Sequence, residues 1–276
     1  MEHKQNTIAI LYICTGAYVH FWEDFYRSFS EKFIPEAEKH YYVFTDAEAL
    51  YAEKDDPHIH RIRQEHLGWP GATLFRYRMF LSVEEELQKY DYVLFLNANL
   101  ICREVIHAED YLPRGNGEDL VVVQHPGYYN TRPYRYTYER DKRSLAYIPY
   151  TSLKGQYYVC GGLNGGTAEA FLKMSRELDR RITDDYERGV IAIWHDESHL
   201  NKYITEYAGY RMLSPSYAVP EGISLPFPTR ICILVKTRYV EIEQNKTDEK
   251  DQAVQRAAMG KFRAFLLELW FKLHGK

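Results

Sequence analysis

Short apolar runs alternating with helix-period stretches constrain this chain more than any other feature. Thr7–Ile13 (TIAILYI) is β-branched, apolar almost throughout and bounded by the turn pair Thr15-Gly16, so it predicts a buried strand. Aromatic residues at 18, 21, 22, 25, 26 and 29, with acids between them, predict a helix over Tyr18–Ser30. Tyr41–Thr45 (YYVFT) predicts a second strand, Thr73–Lys89 a helix, and Tyr90–Leu96 (YDYVLFL) a strong strand ending at Asn97. Leu120–Gln124 and Tyr157–Cys160 read as further strands. This alternation predicts a parallel sheet of the α/β class, in which ligands bind beyond the carboxyl ends of the strands. Thr15, Asn97 and His125 fall at such ends.

Composition narrows the function classes. Hydrophobic residues make up 45% of 276, which excludes a disordered chain, and no apolar run is long enough to span a membrane. The formal charge of −4 argues against a nucleic-acid protein held by a positive field. That charge is uneven: residues 246–276 carry seven Lys/Arg and four Asp/Glu, net +3, leaving −7 on 1–245. The chain therefore divides into an acidic body, 1–245, and a basic extension, 246–276. In the extension, Val254, Ala258, Phe262, Phe265, Leu266, Leu269, Trp270 and Leu273 recur at spacings of three and four, which predicts an amphipathic helix. Two readings of it stand, peripheral contact with an anionic membrane through 250–276 or packing against the domain or a partner. Cys14, Cys102, Cys160 and Cys232 show no metal-ligand spacing, and the N-terminus lacks a signal-peptide pattern. A reduced cytoplasmic protein is expected.

Tyrosine is in surplus, 25 residues against 13 Phe and 4 Trp, and suits wet clefts because it offers an apolar face and a hydroxyl. Many tyrosines fall in Pro126–Pro149, a Tyr-, Arg- and Pro-rich segment whose length suggests a functional loop or lid; the plain alternative is a solvated surface loop.

Three segments carry candidate chemistry. Asn97-Ala98-Asn99 follows the strongest strand; a carboxylate pair there would hold a divalent cation, whereas amide oxygens lack the charge that hard cations demand. Trp194-His195-Asp196-Glu197-Ser198-His199 resembles a zinc-protease motif, but Asp196 occupies the place where Glu is required. On a helix Asp196 and Glu197 diverge by about 100°, so they serve different tasks; the plain alternative is two acids complementing a helix dipole. Cys160-Gly161-Gly162-Leu163-Asn164-Gly165-Gly166 lets backbone approach a ligand closely, or makes a tight turn.

Taken in order, these segments resemble glycosyltransferase family 6, the family of the blood-group A and B transferases and their bacterial relatives. The matching stretches are YYVFTD from Tyr41, FLNANL from Phe95, HPGY from His125, YTYER from Tyr136, AYIP from Ala146, the glycine run from Gly161 and WHDESHLNKY from Trp194. The resemblance implies a single GT-A domain with a Rossmann-like nucleotide half. It implies retaining transfer of an α-linked galactose-type sugar from a UDP-sugar to the 3-hydroxyl of a galactoside. Ile13, Cys14, Thr15 and Tyr18 would line the uridine pocket, and Arg76 would contact the donor. Asn97 and Asn99 stand where vertebrate relatives have Asp-x-Asp, so no metal or other cofactor is expected. Lys236 and Arg238 would meet the diphosphate. Glu197 matches the family's catalytic glutamate, acting as nucleophile or as stabiliser of an oxocarbenium ion. Asp196 and Trp194 would hold donor and acceptor hydroxyls, and His125 would favour an α1,2-fucosylated galactoside. Cys160, Gly161 and Gly162 would border the donor sugar; the small Gly162 favours UDP-GalNAc, with UDP-Gal as the alternative. A rival of another class is an inactive carbohydrate-binding relative, which donor hydrolysis would rule out.

Overall fold

The computed structural model describes residues 5–152 and 156–240. β1 (Thr7–Ile13) is the strand that the first apolar run predicts. Its side chains alternate between two cores: Ile8, Ile10 and Tyr12 join one, Ala9 and Leu11 the other. A strand buried on both faces needs apolar residues on both, which is why the run is continuous.

A 3-10 turn at Gly16–Phe21 leads into α1 (Trp22–Lys32), which covers one face with Trp22, Phe25 and Phe29. β2 (Glu38–Thr45) and β3 (Ile59–Arg63) follow. The single helix expected over Thr73–Lys89 is instead a series of short pieces, α2 (Gly68–Leu74), α3 (Arg76–Leu81) and α4 (Glu84–Leu87). The breaks fall at Phe75 (φ −101°, ψ 19°) and at the β-branched Val83 (φ −122°, ψ 23°). Apolar spacing survives such breaks, so periodicity alone does not report them.

Next come β4 (Tyr92–Leu96), β5 (Leu100–Cys102), α5 (Ala108–Tyr111) and β6 (Leu120–Gln124). β7 (Val159–Thr167) starts two residues after Tyr157 and runs straight through the glycine run, which excludes the tight-turn alternative there. At Gly166 a Cβ would lie 2.3 Å from the carbonyl oxygen of Asp119, so the neighbouring backbone requires glycine there. α6 (Ala168–Glu187) is capped by Thr167, whose side chain accepts the Ala170 N–H. α7 (His195–Glu206), β8 (Tyr210–Leu213), β9 (Val219–Pro220) and β10 (Ile231–Ile233) complete the described elements.

The main sheet has the order β3-β2-β1-β4-β7-β6-β8. It is mixed rather than parallel: β7 runs antiparallel to both β4 and β6, while the other pairings are parallel. The reversal brings the amino end of β7 to the edge where β1, β4 and β6 end. α3 and α6 cover the face opposite α1 with Tyr77, Phe80, Phe171 and Leu178. A small sheet, β5-β10-β9, carries the chain back to this edge. There Leu234 N–H donates to the Asn99 carbonyl (2.8 Å), and Asn99 Nδ2 donates to the Leu234 carbonyl (2.7 Å).

All four cysteines are buried and unpaired. Among the described residues no helix is long and apolar enough to cross a membrane. The amphipathic helix expected over 246–276 lies outside the described residues.

Candidate active site

The amino end of α7 packs against the amino end of β7, and this junction forms the centre of the site. Glu197 is held at both carboxylate oxygens: Tyr158 O–H donates to Oε1 and Gly161 N–H donates to Oε2, each at 2.8 Å. Asn201, one turn on, donates to the carbonyls of Val159 (3.0 Å) and Glu197 (2.9 Å) and accepts the Val159 N–H. Helix and strand are thereby locked in register. Burial, then the Glu197 charge, raises the Tyr158 phenol well above its ordinary value, so it stays a donor.

Arg76 and Asp196 lie behind this carboxylate, both buried, with Nε and Oδ2 3.2 Å apart. Arg76 also donates to the Gly161 carbonyl at 3.2 Å and lies over the Phe95 ring at 4.6 Å. The close Arg76 Nε and Asp196 Oδ2 atoms lack hydrogen-bond geometry and have no other partner. Unsatisfied buried polar atoms are costly.

Burial pushes the Asp196 carboxyl up to about 7; the Arg76 charge opposes the shift and Glu197 adds to it. The folded state therefore holds this proton more tightly than the unfolded chain, whose ordinary value is 3.8. The stability this contributes is present below the ordinary value and lost as pH rises through about 7. Urea titrations from acid to neutral pH should show this loss in the wild type and not in Asp196→Asn; an unchanged pH slope in the variant would reject the assignment.

On one side of Glu197 lies a tyrosine cluster. Tyr128, Tyr136 and Tyr138 surround Tyr158, with Tyr138 stacked on it at 5.4 Å. His125 packs edge-on against Tyr158 (5.7 Å), and its Nδ1 accepts the Gly127 N–H (3.0 Å). That contact leaves the ring proton on Nε2 as a donor, and burial lowers the imidazole below its ordinary value, keeping it neutral. Trp194 Nε1 donates to Thr137 Oγ1 (2.9 Å), and Glu139 accepts the Ile193 N–H (2.6 Å). The 126–149 segment is thus pinned to the start of α7 and packed on its own tyrosines, rather than being a solvated surface loop.

On the other side Asn97 N–H donates to the Gly162 carbonyl (2.9 Å), joining the strand end to the glycine run. Asn97 Nδ2 donates to Asn99 Oδ1 (2.9 Å). With Asn99 Nδ2 on the Leu234 carbonyl, this amide pair tethers the segment that carries Lys236 and Arg238. Lys236 lies over the Tyr18 ring (5.0 Å), and the exposed Arg238 pairs with Glu221 (3.5 Å). Thr15 Oγ1 meets His66 Nδ1 at 3.0 Å. Ile13 ends β1 half-buried. Cys14 is in the core; its N–H donates to Phe44 O, its carbonyl accepts from Thr45, and burial pushes its thiol up to about 12. Burial likewise raises the Cys160 thiol well above its ordinary value, so neither cysteine is poised as a nucleophile.

The structure therefore joins Asn97, Gly161, Gly162, Arg76, Asp196, Glu197, His125 and Trp194 through direct or shared contacts. Tyr158, Glu139, Thr137, Asn201 and His66 are supports that the residue-by-residue reading missed. Glu139 and Thr137 had a signal inside the matched YTYER stretch, and Asn201 inside the matched WHDESHLNKY stretch. A cavity of about 480 Å³ lined by Arg114, Arg211, Phe227 and Arg230 lies apart from these residues. It touches the 126–149 segment where Phe227 packs on Tyr129.

A carboxylate thus stands at the edge where β1, β4 and β6 end, between a buried Arg–Asp pair and a tyrosine-lined wall. The sequence model of glycosyltransferase family 6 matches residues 1–247. An O-antigen biosynthesis glycosyltransferase of Escherichia coli, WbnI, is 39% identical over 214 residues, covering 78% of this chain and 88% of that protein. Histo-blood group ABO system transferase 2 of Rattus norvegicus is 27% identical over 88% of this chain and 71% of its own length. Globoside alpha-1,3-N-acetylgalactosaminyltransferase 1 of Homo sapiens is 28% identical over 76% of this chain and 60% of its own. The chain belongs to glycosyltransferase family 6, and its mixed α/β domain is GT-A-like. It is a hexosyltransferase.

Proposed function

We propose that this enzyme moves GalNAc from UDP-GalNAc to the 3-hydroxyl of an α1,2-fucosylated galactoside, retaining the anomeric configuration and using no divalent cation. The observation that carries the reading is the double anchoring of Glu197 by Tyr158 and Gly161. It leaves a carboxylate fixed in place to meet the developing positive charge at an anomeric carbon. Orientation, rather than recruitment at the moment of reaction, is what such an arrangement contributes.

The donor side supports the cation-free part. Vertebrate-type Asp-x-Asp would offer carboxylate oxygens, whereas the Asn99 amide oxygen is engaged by Asn97 and its nitrogen by Leu234. That donor set does not suit a hard cation. The Asn99 amide instead gives and receives hydrogen bonds at once, which tethers Lys236 near Tyr18, where a leaving diphosphate needs positive charge. GalNAc is preferred because Gly162 adds no side chain beside Asn97; a Cβ there would lie 3.1 Å from the Asn97 Cβ. The name of the human relative, an alpha-1,3-N-acetylgalactosaminyltransferase, agrees with this choice. UDP-Gal is the second reading, since a pocket that holds N-acetyl also admits a hydroxyl. The neutral His125, with its Nε2 proton free to donate, favours a hydroxylated acceptor.

A donor panel of UDP-GalNAc and UDP-Gal with a fucosylated galactoside, with and without EDTA, tests the proposal. The expected result is faster transfer from UDP-GalNAc and an initial rate unchanged by the chelator. Activity abolished by EDTA and restored by Mn²⁺ overturns the cation-free reading; faster transfer from UDP-Gal overturns the donor assignment.

A further inference from the structure

A second constellation sits at the opposite end of the sheet from Glu197. Glu38 and His40 are two apart on β2 and so share a face; His58 and His60 are two apart at the start of the edge strand β3. Tyr41 N–H donates to the His58 carbonyl (2.8 Å), which sets the His pair of one strand beside that of the other. The His40 ring lies 4.5 Å from His58, edge-on, and 5.3 Å from His60, stacked.

The ligating atoms converge. Glu38 Oε1 is 2.8 Å from His40 Nε2 and 4.0 Å from His58 Nε2. One such atom from each of Glu38, His40 and His58 lies within 4.8 Å of the other two, an arrangement no other His, Cys, Asp or Glu group makes among the described residues. Bonds of about 2.0–2.1 Å in a tetrahedral site hold ligand atoms about 3.3 Å apart, so side-chain rotations alone close the set.

The far nitrogens of both imidazoles are already held. His58 Nδ1 contacts Asp56 Oδ1 (2.9 Å), an oxygen that also accepts the His58 N–H; Asp56 Oδ2 accepts from Tyr26 O–H (2.7 Å). His40 Nδ1 contacts His60 Nε2 (3.0 Å). A carboxylate or other acceptor on Nδ1 fixes the ring and directs the Nε2 lone pair at a metal. Glu38 and His58 are partly exposed, so an ion enters from solvent.

We propose that Glu38, His40 and His58 form a binding site for a zinc-class divalent cation, with Asp56 and His60 as its supporting shell and water as the remaining ligand. Two imidazoles and one carboxylate select Zn²⁺ or Co²⁺ over Mg²⁺ or Ca²⁺. The ion clamps β3 onto β2 and takes no part in sugar transfer. The proposal stands independently of the donor and acceptor assignments.

The test uses the full chain stripped with chelator. Titration with Co²⁺ should give the visible absorption of a low-coordinate site, saturating at one equivalent, displaced by Zn²⁺ and not by Mg²⁺. Zn²⁺ should raise the melting temperature and leave the transfer rate unchanged. His58→Ala and Glu38→Gln, both partly exposed and so able to fold, should weaken cobalt binding by about 100-fold or more, and Asp56→Asn by about tenfold. Wild-type transfer rates in these variants confirm that they are folded. No cobalt band, or a band that persists at wild-type affinity in His58→Ala and Glu38→Gln, overturns the proposal.

Discussion

Glu197→Gln should lower turnover by about a thousandfold, equivalent to about 4 kcal/mol of lost transition-state stabilisation, while leaving UDP affinity nearly unchanged. The wild-type carboxylate faces two donors, the Tyr158 hydroxyl and the Gly161 N–H. A glutamine of the same shape turns its carbonyl oxygen to the fixed Gly161 N–H. Its amide nitrogen then meets the Tyr158 oxygen, because a hydroxyl can rotate from donor to acceptor. The variant consequently folds around the same geometry and loses only the negative charge. Product formation measures the first effect and calorimetric UDP binding the second. A variant that turns over at the wild-type rate would remove Glu197 from the chemistry.

Gly161→Ala should lower turnover by about a hundredfold while leaving the chemistry of every reacting group unchanged. The added Cβ would lie 2.8 Å from the Glu197 Cβ and 3.3 Å from its Cα and Cγ, the root of the side chain rather than its flexible end. The strand cannot easily retreat, since Arg76 and Asn164 Nδ2 both donate to the Gly161 carbonyl. The helix start must yield instead, carrying the carboxylate away from its position. Overpacking of this kind also costs about 1–3 kcal/mol of stability, which urea denaturation would register. A folded Gly161→Ala enzyme with wild-type turnover would mean that the placement of Glu197 tolerates such shifts.

These two predictions differ in where they could be seen. Glu197 is legible as a candidate from a ten-residue motif, because motif chemistry is local: adjacent acids between Trp194 and His199 are unusual wherever they occur. Gly161 is legible as backbone open to close approach by a ligand, and the tight turn that stood as the alternative is in fact strand. Glycine has little strand preference of its own, and β7 forms there because β4 and β6 pair with it on both sides. The same tertiary override turned an expected parallel sheet into a mixed one. Conversely, α6 carries Phe171, Met174, Leu178 and Ile182 at helical spacing behind a Thr cap, a signal present in the residues that the strand-by-strand reading passed over.

By itself the sequence determined the α/β class, the strands Thr7–Ile13 and Leu120–Gln124, the family and the residue proposed to carry the reacting carboxylate. Each follows from short-range periodicity or from a contiguous motif. Tertiary structure alone decided how that carboxylate is held, since its two donors lie 39 and 36 residues away in the chain. It likewise decided that the Asn99 amide tethers a segment 135 residues distant. Hydrogen bonds of that reach depend on which strands neighbour one another and in which direction they run. A reversed β7 places Tyr158 and Gly161 beside α7, and no local pattern of residues encodes that reversal.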